Sequence, residues 1–182
     1  LAAHPDLLGH VSLLQITPFS RSTLKEYRTL RRAVEAATGA INGRFARPDW
    51  VPMRYVNASY PHEALAGYYR AARVGLVTPW RDGMNLVAKE YVAAQDPDNP
   101  GVLVLSDTAG AACELSAALL VNPFDREGLA RAIHTAFTMS LAERQCRWRR
   151  MMKAISANDI HAWREGFLGA LRGASASLIA HA

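Results

Sequence analysis

The chain is predicted to be an α/β protein with a Rossmann-like, doubly wound parallel sheet. Short apolar runs bounded by turn residues, Val74-Gly-Leu-Val-Thr-Pro79 and Gly101-Val-Leu-Val-Leu-Ser106, read as buried strands. Between them Asn85 to Gln95 carries Leu86, Val87, Tyr91 and Ala94 at helical spacing. Turn clusters such as Asp96-Pro-Asp-Asn-Pro-Gly101 mark the junctions, and strands alternating with helices give a parallel sheet. At 182 residues and 50% hydrophobic composition, the chain can bury one core of ordinary size.

The elements follow in order. Leu1 to Gly9 reads as the tail of a helix entering a strand over Val11–Thr17. A long helix from Thr23, an N-cap type, is expected to stop at Ile41, because Gly39 and Asn42-Gly43 are terminators. Met53–Val56 is a strand, His62–Ala72 a helix, Val74–Thr78 a strand ended by Pro79, and Asn85–Gln95 a helix. Strand Val102–Leu105, a helix near Gly110–Ala117, strand Leu119–Val121 and helix Arg126–Thr138 come next. Two helices, Leu141–Ala157 and Ile160–Arg172, split by Asn158-Asp159, close the pattern, and the Ala/Ser-rich end over 173–182 is expected to fray.

Charge and motifs narrow the function. A net charge of +5 and a pI near 9.6 suit phosphorylated substrates, but the basic residues form no aromatic-interleaved stripe for nucleic acid. Arg144, Arg147, Arg149 and Arg150 alternate with Leu141, Cys146, Trp148 and Met151 and read as the wet face of a helix. No apolar run approaches a membrane span, so neither membrane nor nucleic-acid partners are expected. Cys113 and Cys146 lack metal spacing and read as reduced core or half-buried thiols of a cytoplasmic protein. His4, His10, His62, His134, His161 and His181 show no paired spacing, and no metal ligand is assigned; His161 and Trp163 are expected to pack the last helix. A Gly-x-Ser-x-Gly elbow, a Gly-x-Gly-x-x-Gly fingerprint and a phosphate-loop lysine are all missing from the sequence, which argues against a hydrolase, a dehydrogenase and a P-loop NTPase.

The informative stretch is Arg81-Asp-Gly-Met-Asn-Leu-Val-Ala-Lys-Glu-Tyr-Val-Ala-Ala-Gln95. It places a carboxylate, a glycine and the unpaired first-turn amides of a helix, Met84 to Val87, in a strand-to-helix loop, where open α/β sheets bind ligands. Those amides and the helix dipole suit an anion. Gly83 lets backbone approach a ligand, and takes positive φ if needed. Glu90, seven residues on, projects from the same face, where it can accept from a vicinal diol such as a ribose; Asp82 at the mouth can hold a sugar hydroxyl. The same residues equally suit a plain buried turn in which Asp82 is a cap and Glu90 a solvated charge. Ser106-Asp-Thr-Ala-Gly110 is a second loop at the same sheet edge, placed either to lean over a ligand or to cap its helix.

This stretch resembles the nucleotide-sugar loop and helix of the trehalose-6-phosphate synthases, retaining GT-B glycosyltransferases. The likeness runs in order through Leu13-Leu-Gln-Ile-Thr-Pro-Phe-Ser-Arg21, Gly39-Ala-Ile-Asn-Gly-Arg44, Gly101 to Ser106, Ala109-Gly-Ala-Ala112, Leu120-Val-Asn-Pro-Phe-Asp125 and Asn158-Asp-Ile-His-Ala-Trp163. It implies that residues 1–172 are the C-terminal, donor-binding domain of a GT-B fold, with helices over 141–172 bracing its partner domain. It implies UDP-glucose as donor, glucose 6-phosphate as acceptor, retention of configuration, and no metal or cofactor. Asp82, the one catalytic assignment, and the amides of Gly83, Met84 and Asn85 would meet the glucose hydroxyls, and Leu86 and Val87 the diphosphate. The contact stretch runs on through Ala88 and Lys89 to Glu90, which would take the ribose. Arg21 would grip the acceptor phosphate, as a guanidinium fork suits, and Tyr60 falls where relatives often carry Phe beside the uracil.

Departures and omissions also count. Arg73 stands where relatives more often have an acid, and Trp80, bordering the donor pocket, where they often have Leu. Relatives carry an acceptor-side domain first, then a strand whose arginine and lysine clamp the donor phosphates. The chain therefore looks like the C-terminal part of a longer product, incomplete at its N-terminus, with that missing domain as its first partner and homo-oligomerisation left open. Alternatives are a synthase for another glucosylated phosphate, such as glucosylglycerol phosphate, and a non-catalytic nucleotide-sugar-binding module.

Overall fold

The computed structural model describes residues 1–18 and 25–179, with side chains described through residue 172. It forms two compact units, Leu1–Pro61 and His62–Ala182. In the first, β1 (Leu13–Ile16) and β2 (Met53–Val56) are parallel, with Leu13 opposite Met53 and Ile16 opposite Val56, joined by the helix α1 (Lys25–Phe45). In the second come α2 (His62–Ala71), β3 (Val74–Val77), α3 (Leu86–Ala94), β4 (Val102–Ser106), β5 (Leu119–Val121), α4 (Arg126–Thr138), α5 (Leu141–Ala157) and α6 (Ile160–Ile179). Its parallel sheet runs β3-β4-β5, with Val74 opposite Val102 and Val104 opposite Leu119. The α/β class is thus observed, and its strands fall into two parallel ladders.

All five residues of β4 are buried, which explains its unbroken apolar run. Alternation sends Leu103 and Leu105 to one face, with Val92 of α3, Leu115 and Met151 of α5, and Val102 and Val104 to the other, with Val121 and Ala136 of α4. Helices therefore cover both faces of β4. Tyr91 locks this layer: its ring lies where a Cβ on Gly75 would need to be, and its hydroxyl donates to Ala72 O at 3.0 Å. Burial pushes that hydroxyl's pKa far up, so it stays a neutral donor. Among the described residues of the first unit only Pro52 is buried, so the packed core sits in the second.

Several expectations need correction. The helix α1 runs four residues past Ile41, because Asn42 does not terminate it: its Nδ2 donates to Met53 O (2.9 Å) and its Oδ1 accepts from Met53 N (3.1 Å), pinning α1 to β2. Thr23 lies outside the described residues. Leu1 to Gly9 is not a helix tail but a 3-10 turn at Pro5–Leu7, with Gly9 left-handed at φ 88°. The helix expected near Gly110–Ala117 is a single 3-10 turn, Gly110–Cys113, since the chain must reach β5 six residues later. The helix α6 continues to Ile179.

Cys113 and Cys146 are exposed, not core or half-buried, because both fall on outward faces of their turns. Trp163, 59% exposed, stacks on Phe167 (5.4 Å) along the surface of α6 instead of packing it down, and His161 is exposed as well. Arg144 is not on a wet face. It is 6% exposed and donates from Nη1 to Asn99 Oδ1 (2.8 Å) and Pro100 O, anchoring the turn-rich connection before β4. Burial first, then the Arg73 guanidinium, lowers its pKa. Among the described residues no helix is long and apolar enough to cross a membrane.

Candidate functional site

The loop between β3 and α3 builds the site around one carboxylate. Asp82 Oδ1 accepts from Met84 N (3.3 Å) and Oδ2 from Asn85 Nδ2 (3.0 Å). Asn85 in turn caps α3, its Oδ1 accepting from Ala88 N at 3.0 Å. Asn85 also carries the left-handed backbone, φ 74°, that the loop needs to turn into the helix; asparagine tolerates it because its side chain bonds locally. The positive φ foreseen as an option for Gly83 thus falls on Asn85. A Cβ added to Gly83 would meet no protein atom within 4 Å, so the space over that residue is open.

Leu86 and Val87 supply the first-turn amides of α3, which helix geometry leaves without intrahelical acceptors, and their side chains are exposed. Ala88 is fully buried and its amide is taken by the cap, so it acts as a structural member of the turn. Lys89 turns to Glu114, 2.9 Å away, in a pair whose side chains are only 16% and 26% exposed. Glu90 is half-buried on α3; after burial, its carboxylate is the second cause that raises the Tyr69 hydroxyl pKa, which places it toward α2. Tyr60 lies half-buried in the first unit, and Arg21 lies outside the described residues.

The second loop, 106–114, was legible only as a neighbour. The structure shows it gripping the first. Ser106 Oγ (2.8 Å) and Thr108 Oγ1 (3.1 Å) both donate to Pro79 O. Gly110 N donates to Asp82 O at 3.0 Å, Ala111 N to Met84 O at 2.6 Å, and Asp82 N to Thr108 O at 3.4 Å. A Cβ on Gly110 would collide with the Gly83 carbonyl, so of these two glycines it is Gly110 that the geometry demands. Trp80, 74% exposed, faces Phe124 at 5.7 Å beside the loop. In the first unit a cavity of about 240 Å³ opens among Thr17, Tyr55, Asn57 and the α1 residues Tyr27, Arg28 and Arg31; none of residues 82–90 lines it. Among the described residues no cluster of His, Cys, Asp or Glu could hold a metal ion.

Known proteins share this fold. The pattern of glycosyltransferase family 20 matches residues 1–173. A trehalose-6-phosphate synthase of Sinorhizobium fredii is 54% identical over 175 residues, covering 96% of this chain and 38% of that protein. The structure of an α,α-trehalose-phosphate synthase (UDP-forming) from Burkholderia xenovorans in complex with glucose 6-phosphate superposes with TM-score 0.92 at 50% identity, over 94% of this chain and 38% of that one. An Escherichia coli structure bound with UDP-2-fluoro glucose gives TM-score 0.92 at 50% identity over the same shares. The chain spans about 38% of the length of these relatives. With the family pattern running through nearly every residue and half of the side chains shared, the chain belongs to glycosyltransferase family 20.

Proposed function

We propose that this chain is the donor-binding part of a UDP-glucose-dependent synthase that transfers glucose to glucose 6-phosphate with retention, giving trehalose 6-phosphate and UDP. The observation that carries this reading is the β3–α3 loop: an oriented carboxylate, open space over a glycine, and unpaired helix-end amides on consecutive residues. Asp82 keeps lone pairs on both carboxylate oxygens beyond its two internal bonds, enough to accept from glucose hydroxyls at the reacting sugar. The open face over Gly83 admits the sugar beside the amides of Gly83 and Asn85, while the Met84 amide, expected to be unpaired, is taken by Asp82 Oδ1. The Leu86 and Val87 amides and the helix dipole suit a diphosphate, and stabilise the charge that grows on it as the glycosidic bond breaks. A well-placed donor of this kind contributes about 3–4 kcal/mol.

Glu90 is the ribose residue in this reading, Tyr60 the residue beside the uracil, and Arg21 the contact to the acceptor phosphate. Relatives bound to glucose 6-phosphate and to UDP-2-fluoro glucose support both substrates. The reaction breaks the bond from the anomeric carbon to the diphosphate oxygen, UDP leaving with the electron pair. The acceptor hydroxyl then bonds to that carbon on the same face and gives its proton to the departing diphosphate oxygen. Because the chain spans 38% of its relatives, it is expected to bind nucleotide weakly and to show no turnover by itself. Positioning of both substrates supplies about 7–11 kcal/mol of such a barrier, and it needs the rest of the relatives' length.

The test is Glu90→Ala. A carboxylate bonded to two hydroxyls should contribute roughly 1.5–3 kcal/mol, so calorimetric titration with UDP should show affinity about tenfold or more below the parent. Equal affinities would remove Glu90 from the site.

A further inference from the structure

The loop that carries Asp82 is held by its own side-chain bonds on one side and by the 106–114 segment on the other. Two of its carbonyls are committed: Asp82 O to Gly110 N (3.0 Å) and Met84 O to Ala111 N (2.6 Å). In a trans peptide the carbonyl and the following N–H point in opposite directions. With its carbonyl turned to the 106–114 segment, the Asp82–Gly83 peptide aims the Gly83 N–H away from that segment. The Met84–Asn85 peptide does the same for the Asn85 N–H. These are two of the three amides read above as donors to glucose hydroxyls. Approach this close is possible only because Gly110 has no Cβ, which would strike the Gly83 carbonyl carbon and oxygen and come within 3.3 Å of Met84 Cα.

A second tie fixes the far end of the brace. Glu114 directly follows the Gly110–Cys113 turn, and its Oε2 holds Lys89 Nζ at 2.9 Å. Both side chains are mostly buried, so solvent screens the pair less than a surface bridge. It joins α3, which carries the diphosphate amides, to the segment that aims the sugar amides. At the near end, Ser106 and Thr108 hold Pro79 O just before the loop begins.

We propose that Gly110 and the Lys89–Glu114 pair are positioning residues: without touching the ligand, they set the preference of this site for a sugar-bearing nucleoside diphosphate over the bare diphosphate. The inference rests on the donor-binding reading above. It assigns to Lys89 a role through Glu114 in place of a direct substrate contact, and to Gly110, marked in the sequence only as part of a second loop, a role in holding the first.

The experiment compares UDP and UDP-glucose binding to the unsubstituted chain, Gly110→Ala, Glu114→Gln and the exchanged pair Lys89→Glu with Glu114→Lys. Gly110→Ala should lower UDP-glucose affinity about tenfold, equivalent to one or two ordinary hydrogen bonds, while UDP, held by the amides of α3, changes far less. Glu114→Gln should shift the ratio the same way by less, and the exchanged pair should restore it. General destabilisation would weaken both ligands alike, so an unchanged UDP-glucose to UDP ratio in Gly110→Ala overturns the proposal, as does a failure of the exchanged pair to restore what Glu114→Gln loses. Amide hydrogen exchange without ligand gives an independent reading. Gly110→Ala should speed exchange at residues 83–88 while residues 102–106 stay protected, and unchanged exchange at 83–88 overturns the brace. If the unsubstituted chain binds neither ligand, the donor-binding reading has failed, and the exchange result still decides whether 106–114 positions the loop.

Discussion

Asn85 does three things at once, and three substitutions separate them. Its Oδ1 caps α3 at Ala88 N, its Nδ2 orients Asp82, and its backbone holds φ 74°. Asn85→Ala removes the cap, about 1 kcal/mol, and forces a residue with a Cβ and no local hydrogen bond into the left-handed region, about 1–2 kcal/mol. The total of about 2–3 kcal/mol corresponds to a fall in Tm of about 4–12 °C for a chain of this size. Asn85→Gly adopts the same backbone freely and loses a few tenths of the cap, with about 0.5–1 kcal/mol more from unfolded-chain entropy, so it should lose about 1 kcal/mol. Asn85→Asp keeps the cap but sets a second carboxylate about 3 Å from Asp82 Oδ2, so repulsion should lower Tm as well as UDP-glucose affinity. Thermal unfolding by circular dichroism gives the stabilities, and calorimetry the affinities. Equal Tm values for the alanine and glycine variants would show that the left-handed backbone carries no strain. Parental affinity in Asn85→Asp would show that the Asn85 amide does not orient Asp82.

Two further outcomes follow from burial and charge. Arg144→Ala should destabilise by about 2–4 kcal/mol, because it orphans the Pro100 carbonyl and leaves a cavity beside it. Denaturant unfolding reads the loss, and one below about 0.5 kcal/mol would refute the anchoring role. Asp159 caps α6 through Ala162 N (2.8 Å), and that bond lowers its pKa. A depressed carboxylate stabilises the fold at pH above its unfolded value, and the contribution is lost as pH falls through the folded value. A proton titration followed by NMR should place its midpoint below that of a free aspartate, and a midpoint at or above it contradicts the cap.

What could be read from the sequence was local. Strands Met53–Val56 and Leu119–Val121 and helices Arg126–Thr138 and Leu141–Ala157 fall where spacing places them, and the strand, loop and helix over 74–95 match within a residue or two, because run length, Pro79 and helical spacing are short-range signals. Several of the misses are long-range. Asn42 reads as a helix stop until Met53 is known to take both ends of its amide. Arg144 reads as solvated until the 96–101 connection is seen folded over it. Gly110 reads as ordinary, since its reason is the Gly83 carbonyl 27 positions earlier. In each case a partner far along the chain decided the role, and spacing holds no record of that partner.

In the function proposed, Asp82 to Val87 and Glu90 grip a sugar diphosphate. The most direct measurement is amide chemical-shift mapping of the isotopically labelled chain as UDP-glucose is added. The account predicts shifts concentrated at Gly83 to Val87 and at Glu90, saturating together, with Leu103 to Leu105 in the core unmoved. Shifts confined to other surfaces, or none at Gly83 to Val87 under saturating UDP-glucose, would contradict it.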